Sequence, residues 1–369
     1  MRVLILSCST GQGHNATADA IKQAFEQMGM ACEVADSLRF ASKNLSRFMS
    51  WGHVTMYRRI PGLFRFGYGY AEKHPGVMDG ESVAYKLVTG GTSRLRDYIA
   101  RGKYDTVICT HVFSGMLVTQ MQKEHPMPLK TAFVATDYTC HPGTANMEMD
   151  RYFIASEQLV EEYVRQGIAR EKLVSGGIPV RQEFYRQRCK TAAKRKAGID
   201  PASTHLLMMC GSMGCGPMEE LTQLLSRQMD ERMVLSVVCG TNKKRYRRLR
   251  KKFAAYPNIR IHGFVADIAS MLDSADVYLT KPGGLSVTEA AAKKLPMVLV
   301  DAVAGCEEHN RRFLTEQGGA VTGQTPQRLA QQCLTLMTSA DRRKEMSDCL
   351  GTALPGNGAQ CICQIMCAY

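Results

Sequence analysis

No run of apolar residues in this chain approaches the roughly 18 needed to cross a bilayer, so a membrane-spanning helix is not expected. The opening MRVLILSCST is too short an apolar run for a signal peptide and reads as a first buried strand. No lysine of Walker type follows any glycine loop, which excludes a P-loop NTPase. The dinucleotide pattern GxGxxG lacks its third glycine, and Asp36 is the only acidic candidate after a second strand, which argues against NAD. No DxD pair of carboxylates is present to hold a metal. Paired CxxC knuckles are absent too. The 14 cysteines therefore imply a reducing compartment and mostly free thiols. Cys361, Cys363 and Cys367 read as a buried or frayed terminal segment rather than a metal site. Tryptophan is nearly missing: the single one is Trp51.

Cations are in excess. A net charge of +13 implies an anionic partner, whether phospholipid surface, nucleic acid or phosphorylated substrate. The densest run, KKRYRRLRKK from Lys243 to Lys252, is either a solvated helix or a membrane or polyanion contact. No RNA-recognition signature or zinc finger accompanies it, so nucleic acid is not the expected partner.

With 369 residues the chain exceeds one hydrophobic core, and two domains are expected. Short apolar runs at Val3–Leu6, Cys32–Ala35, Thr106–Cys109 and Thr131–Ala135 alternate with helical patterns, the first helix being Ala16–Met28. Alternation stops near Ile178-Pro179-Val180, passes the basic segment Arg186–Lys196, and restarts. The second set comprises Leu206–Met209, Val234–Cys239, Ile259–Ile261, Val277–Leu279 and Val298–Val300. Two such sets predict two parallel, doubly wound sheets, with ligands at the carboxyl ends of strands. Between Asp36 and Asp105 lies an insertion in which Phe48, Trp51, Phe64, Phe66 and Tyr70 interleave with Arg58, Arg59 and Arg65. It fits an interfacial segment on an anionic membrane, or a helical pair covering the first core.

Four loops carry the candidate chemistry. Ser7–His14 ends in Gly11-Gln12-Gly13-His14 and places an imidazole, either structural or proton-accepting, after the first strand. Cys210–Pro217 (CGSMGCGP) leads into a helix near Met218 and forms an anion seat suited to a diphosphate. TKPGGLSVTE, residues 280–289, is a strand, a glycine pair and a helix N-terminus. Its Glu289 stands about one and a half turns in, within reach of a ribose. The fourth is GCEEHN, Gly305–Asn310, whose carboxylates bind sugar hydroxyls or cap the next helix.

The segments SCSTGQGHNATADAI, VATDYTCHP, CGSMGCGP, IHGFVADIASMLDSADVYLTKPGGLSVTEAAAKKLPMVL and GCEEHN occur in order over nearly the whole chain. In them it resembles the glycosyltransferase group containing processive diacylglycerol glucosyltransferases and monogalactosyldiacylglycerol synthases. The resemblance implies an α/β GT-B fold: two Rossmann-like domains facing across a cleft, with a UDP-sugar donor and a membrane-lipid acceptor. By position, His14 becomes the base, with Gly13, Asp137 and His141 on the acceptor side. The donor residues become Gly211, Ser212, Met213 and Gly214 for diphosphate, Phe264 and Val265 for uracil, Glu289 for ribose with Gly283, Gly284 and Leu285 in the same donor-binding turn, and Glu307 for the sugar. The aromatic and arginine residues of the insertion, Trp51, Arg58, Arg59 and Arg65, remain the expected membrane contact. Cys306 stands where the family usually has glutamine, Cys210 replaces a glycine, and the aromatic residue after His141-Pro142 is absent.

The combined expectation is an inverting, metal-independent UDP-sugar-dependent hexosyltransferase acting on a diacylglycerol-type lipid, peripheral at the cytoplasmic face of the membrane. Residues 1–180 form the acceptor domain, 181–345 the donor domain, and 346–369 a segment packing back on the first. A polyprenyl-diphosphate sugar transferase, a UDP-sugar epimerase and a non-catalytic nucleotide-sugar-binding protein are the alternatives.

Overall fold

Short runs of aliphatic residues, buried along nearly their whole length, build two separate parallel sheets. The computed structural model describes residues 1–8, 12–42, 82–211, 214, 216–301 and 305–369. The interfacial reading of residues 48–70, with Trp51, Arg58, Arg59 and Arg65, lies outside the described residues, as do Ser212 and Met213. The chain divides into two units. One comprises Met1–Gln182, Val303–His309 and Pro355–Tyr369; the other comprises Glu183–Ala302 and Asn310–Leu354.

The first unit carries strands β1 (Arg2–Ser7), β2 (Ala31–Asp36), β3 (Thr106–Cys109), β4 (Lys130–Val134), β5 (Arg151–Ile154) and β6 (Leu173–Ser175). Their order in the sheet is β2-β1-β3-β4-β5-β6, all parallel. Its helices are α1 (Gln12–Gln27), α2 (Leu38–Ala41), α3 (Val83–Thr89), α4 (Thr92–Gly102), α5 (Val112–Glu124) and α6 (Val160–Arg165). α7 (Gln182–Tyr185) begins at its last residue. Helix α1 starts four residues earlier than Ala16, where the sequence placed it, so His14 belongs to the first helical turn rather than to the preceding loop. Glycine and polar residues disguise that turn. A long-range bond from the His14 ring to Thr110, described below, helps hold it.

The second unit holds β7 (Thr204–Met209), β8 (Met233–Val238), β9 (Ile259–His262), β10 (Val277–Thr280), β11 (Met297–Leu299) and β12 (Ala320–Thr322), ordered β12-β11-β10-β7-β8-β9. Its helices are α8 (Lys190–Lys196), α9 (Met218–Ser226), α10 (Lys243–Lys252), α11 (Ile268–Ser274), α12 (Gly284–Ala292), α14 (Pro326–Thr338) and α15 (Ala340–Ala353); α13 (Cys306–Glu316) crosses the division between the units. Leu206, Met208, Leu235 and Val237 of the sheet pack with Leu329, Cys333 and Leu336 of α14 in one core. The last helix, α16 (Gly358–Ala368), returns to the first unit, where Ile362, Cys363 and Met366 join Val3, Ile5, Ile21 and Phe25. All the described cysteines are free thiols.

In each unit the strand order reverses beside the first strand: between β1 and β3, and between β7 and β10. Chain connections leave opposite ways there and open a crevice at the carboxyl edge, the usual ligand position in such sheets.

Candidate active site

Three loops converge at the carboxyl edge of the first sheet. His14, half-buried in the first turn of α1, places Nδ1 2.8 Å from the backbone oxygen of Thr110, the residue after β3. A carbonyl can only accept, so Nδ1 carries the proton and Nε2 keeps its lone pair. Thr110 answers by donating its hydroxyl to the His14 carbonyl at 3.3 Å. Thr136 Oγ1 also lies 3.2 Å from His14 Nδ1, and this hydroxyl donates to Asp137 Oδ2 at 3.3 Å. The arrangement joins imidazole, hydroxyl and carboxylate in series.

Burial lowers the His14 pKa, opposed by the Thr110 carbonyl, which favours the charged ring. Burial thus holds the ring toward its neutral form, with the Nε2 lone pair able to accept a proton. Two more imidazoles stand beside it. His111 meets it edge-on with centroids 4.6 Å apart, while its Nδ1 accepts from Phe113 N at 3.1 Å and caps α5. His141 Nδ1 accepts from Gly143 N at 3.0 Å, and burial, then the neighbouring His14, pushes its pKa down to about 4. The loop bearing Asp137 and His141 is fastened by Glu162 of α6. That carboxylate accepts from Thr139 Oγ1 at 2.6 Å and from Cys140 N at 2.8 Å. Gly13 precedes His14 in the same turn.

The donor candidates of the second unit gather at the carboxyl edge of their own sheet. Gly211 and Gly214 have φ of +72° and +56°, the left-handed region that side chains resist. A Cβ at Gly214 would meet Cys239 O at 2.7 Å, and one at Gly211 would meet Lys281 Cε at 2.8 Å. Both positions therefore require glycine. Arg245 of α10 donates to the carbonyl oxygens of Gly214 and, at 3.1 Å, Gly216. Occupying those carbonyls from one side fixes the loop.

Gly283 caps α12, whose first turn begins at Gly284 and Leu285 with the amides that a helix start leaves without intrahelical partners. The turn is tied down by buried Asn310, whose Nδ2 donates to Pro282 O at 3.0 Å, and by Thr280 Oγ1, which donates to Met209 O at 2.8 Å across the β7–β10 reversal. Glu289 is half-buried, one and a half turns along α12. Phe264 is 73% exposed after β9, with Val265 half-buried beside it. Glu307 sits in the first turn of α13, in the stretch that groups with the first unit.

The structure therefore brings His14 beside Thr136, with Asp137 bonded to Thr136 and His141 alongside His14; separately, it places Gly211, Gly214, Gly283, Gly284 and Leu285 around one strand reversal. Sequence reasoning missed Thr110, His111, Thr136, Glu162, Lys281, Arg245 and Asn310. His111 carried a signal of its own, an imidazole two residues past an apolar strand, whereas Arg245, Lys281, Asn310 and Thr136 lie in segments singled out for other residues. Among the described residues no three His, Cys, Asp or Glu side chains converge as a metal site, and no helix is long and apolar enough to cross a membrane.

Comparison with known proteins gives this geometry a context. Residues 14–180 match the family described as monogalactosyldiacylglycerol (MGDG) synthase, and residues 219–348 match glycosyl transferases group 1. A processive diacylglycerol beta-glucosyltransferase of Staphylococcus saprophyticus is 25% identical over 352 residues, covering 94% of this chain and 87% of the relative. The Bacillus cereus protein of the same name is 28% identical over 326 residues, covering 87% and 81%. Among solved structures, Acinetobacter baumannii MurG superposes with a TM-score of 0.67 at 17% identity, covering 100% and 99%. Staphylococcus aureus MnaA, solved with UDP, superposes with a TM-score of 0.65 at 14% identity, covering 100% and 97%.

Proposed function

We propose that this chain, a glycosyltransferase of GT-B fold whose first half belongs with the MGDG synthases and whose second belongs with the group 1 glycosyl transferases, moves a hexose from a UDP-sugar to a diacylglycerol-type lipid. The observation carrying the chemistry is the bond from His14 Nδ1–H to the Thr110 carbonyl, which leaves the Nε2 lone pair as the base. His14 Nε2 takes the proton of an acceptor hydroxyl as that oxygen forms its bond to the anomeric carbon. The bond from that carbon to the UDP oxygen breaks on the opposite face, UDP leaves with the electron pair, and the configuration inverts. The proton then passes from His14 to solvent.

Asp137, through Thr136, steadies the imidazolium formed in the step. Amides of the Gly211–Gly214 loop and the N-terminus of α12 receive the diphosphate charge, the role a divalent metal plays elsewhere, and no metal is required in this reading. Glu289 takes the ribose hydroxyls, Phe264 and Val265 the uracil, and Glu307 the sugar. The lipid acceptor is supported by the names of the relatives, and a peripheral position at the cytoplasmic membrane face is part of the same reading.

Mass spectrometry of products from a panel of UDP-sugars and membrane lipids tests the reading. A hexosyl-diacylglycerol is the expected product, and a free epimerised sugar nucleotide would replace the assignment. In the same assay His14→Ala is expected to bind UDP normally and lose about 10²–10⁴-fold of transfer, the usual general-base contribution. Retained turnover removes His14 from the role.

A further inference from the structure

Helix α10 contains KKRYRRLRKK without one acidic residue, and only Leu249 is buried. Its cations fall into two sets. Arg245 is committed to the glycine-loop carbonyls, while Arg248 and Lys252 pair with Glu219 of α9. Lys243, Lys244, Arg247 and Lys251 are all exposed, and none pairs with a carboxylate among the described residues; Arg250 is exposed and lies against Tyr246. At about 100° per residue these five occupy an arc of roughly 120°, centred opposite Leu249. Their side chains form one stripe on the outer face.

That stripe works against the helix that bears it. Lys243, Arg247 and Lys251 repeat at i, i+4, where like charges repel. Lys243 and Lys244 open the helix at its positive end, where the macrodipole disfavours cations. Stability does not account for such a pattern, and local rules are broken in this way at functional surfaces. The stripe carries no exposed aromatic ring for stacking on bases. A ring suited to a membrane interface, Tyr256, is 40% exposed just past the helix end.

We infer that this face of α10 docks the second unit on an anionic phospholipid surface. The inference rests on the lipid-acceptor reading and deepens it. Because Arg245 ties the same helix to the Gly211–Gly216 loop, docking through α10 brings the donor loop close to the bilayer that holds the acceptor.

The test uses the full chain with Lys243, Lys244, Arg247 and Lys251 all changed to Glu. Binding to mixed phosphatidylglycerol–phosphatidylcholine vesicles is expected to fall by about a hundredfold or more, since each basic side chain near such a surface contributes about a fivefold gain. Parent binding should weaken with salt and be absent on pure phosphatidylcholine. UDP affinity should stay unchanged, which shows that the variant is folded. Lys243→Arg, Lys244→Arg and Lys251→Arg together should bind like the parent. Unchanged vesicle binding by the Glu variant overturns the inference, as does loss of single-stranded nucleic-acid binding with vesicle binding intact. The acceptor reading fails separately, if the parent transfers no sugar to a short-chain diacylglycerol in detergent micelles.

Discussion

His14 is held by bonds to residues 96 and 122 positions away in the chain, and its usefulness depends on both. The Thr110 carbonyl sets the tautomer. The Thr136 hydroxyl connects the ring to Asp137, so in the proposed reaction the positive charge developing on His14 would meet a carboxylate through one intervening oxygen. Thr136 is therefore a positioning residue, and Thr136→Val should separate its effect from simple packing. Losing a hydrogen bond to a developing charge costs about 1.5–3 kcal/mol, which lowers kcat by roughly tenfold or more with little change in donor KM. The sign of the pH effect follows. A less stabilised imidazolium has a lower pKa, so the acidic limb of the kcat profile, which lies below the ordinary histidine value because burial lowers His14, should move further down. Thr136→Ser should restore both. A Val variant with parental kcat and an unmoved limb refutes the connection. At this scale the sequence singled out His14 and Asp137 as candidates, because glycines or proline flank each of their loops. It concealed Thr110, Thr136 and Glu162, whose parts are played through a backbone oxygen, a hydroxyl and a distant helix.

The elements that hold the glycine loops of the second unit depend on charges that composition suggested would be solvated. Lys293, just after α12, is buried with Asp273 of α11, their charged atoms 2.8 Å apart. Its ammonium also donates to the carbonyls of Glu183 and Arg186, at 3.1 and 2.5 Å. Lys194 of α8 is likewise buried, 2.7 Å from Asp276 and 2.7 Å from the Ser203 carbonyl. The segment Arg186–Lys196 reads from sequence as a basic stretch between two domains, yet these pairs bind it to α11 and the start of β10. Lys293→Met should cost about 3 kcal/mol or more in denaturant unfolding of the second unit, because buried Asp273 loses its near partner and keeps only Arg188, 3.8 Å away, as a counter-charge. Changing Asp273→Leu as well should recover a large part of the loss. If Lys293→Met unfolds like the parent, the pair contributes nothing to stability. Strands β5, β6 and β12 went unread from the sequence: β6 and β12 are short edge strands, only partly buried, and all three are defined by their pairing.

For the whole molecule, the order of the chain differs from the order of its cores. The first unit takes its last helix from the far end of the sequence, so residues 1–182 alone do not complete its core. Ile362, Cys363 and Met366 cover Val3, Ile5, Ile21 and Phe25, and Asn357 Nδ2 donates to Gln182 Oε1 at 2.8 Å where the returning segment begins. Alternating βα patterns made the two sheets legible, since buried parallel strands are apolar throughout. The cysteine-rich ending had no such rhythm, and its apolar face makes sense only against α1. Ending the chain at Leu354 removes burial of one Ile and one Met side chain, each worth about 1.5–3 kcal/mol, besides Cys363. That approaches the 5–15 kcal/mol of total stability common for a domain, so the first unit should melt well below its parental temperature or fail to fold. The second unit keeps its own core and should still bind UDP by calorimetry. Two milder variants guard against a trivial loss of expression: Ile362→Ala and Met366→Ala should each cost about 2–5 kcal/mol in the first unit alone. A truncated chain whose first unit melts with the parent would mean that α16 merely rests on the surface, and that residues 1–182 are complete without it.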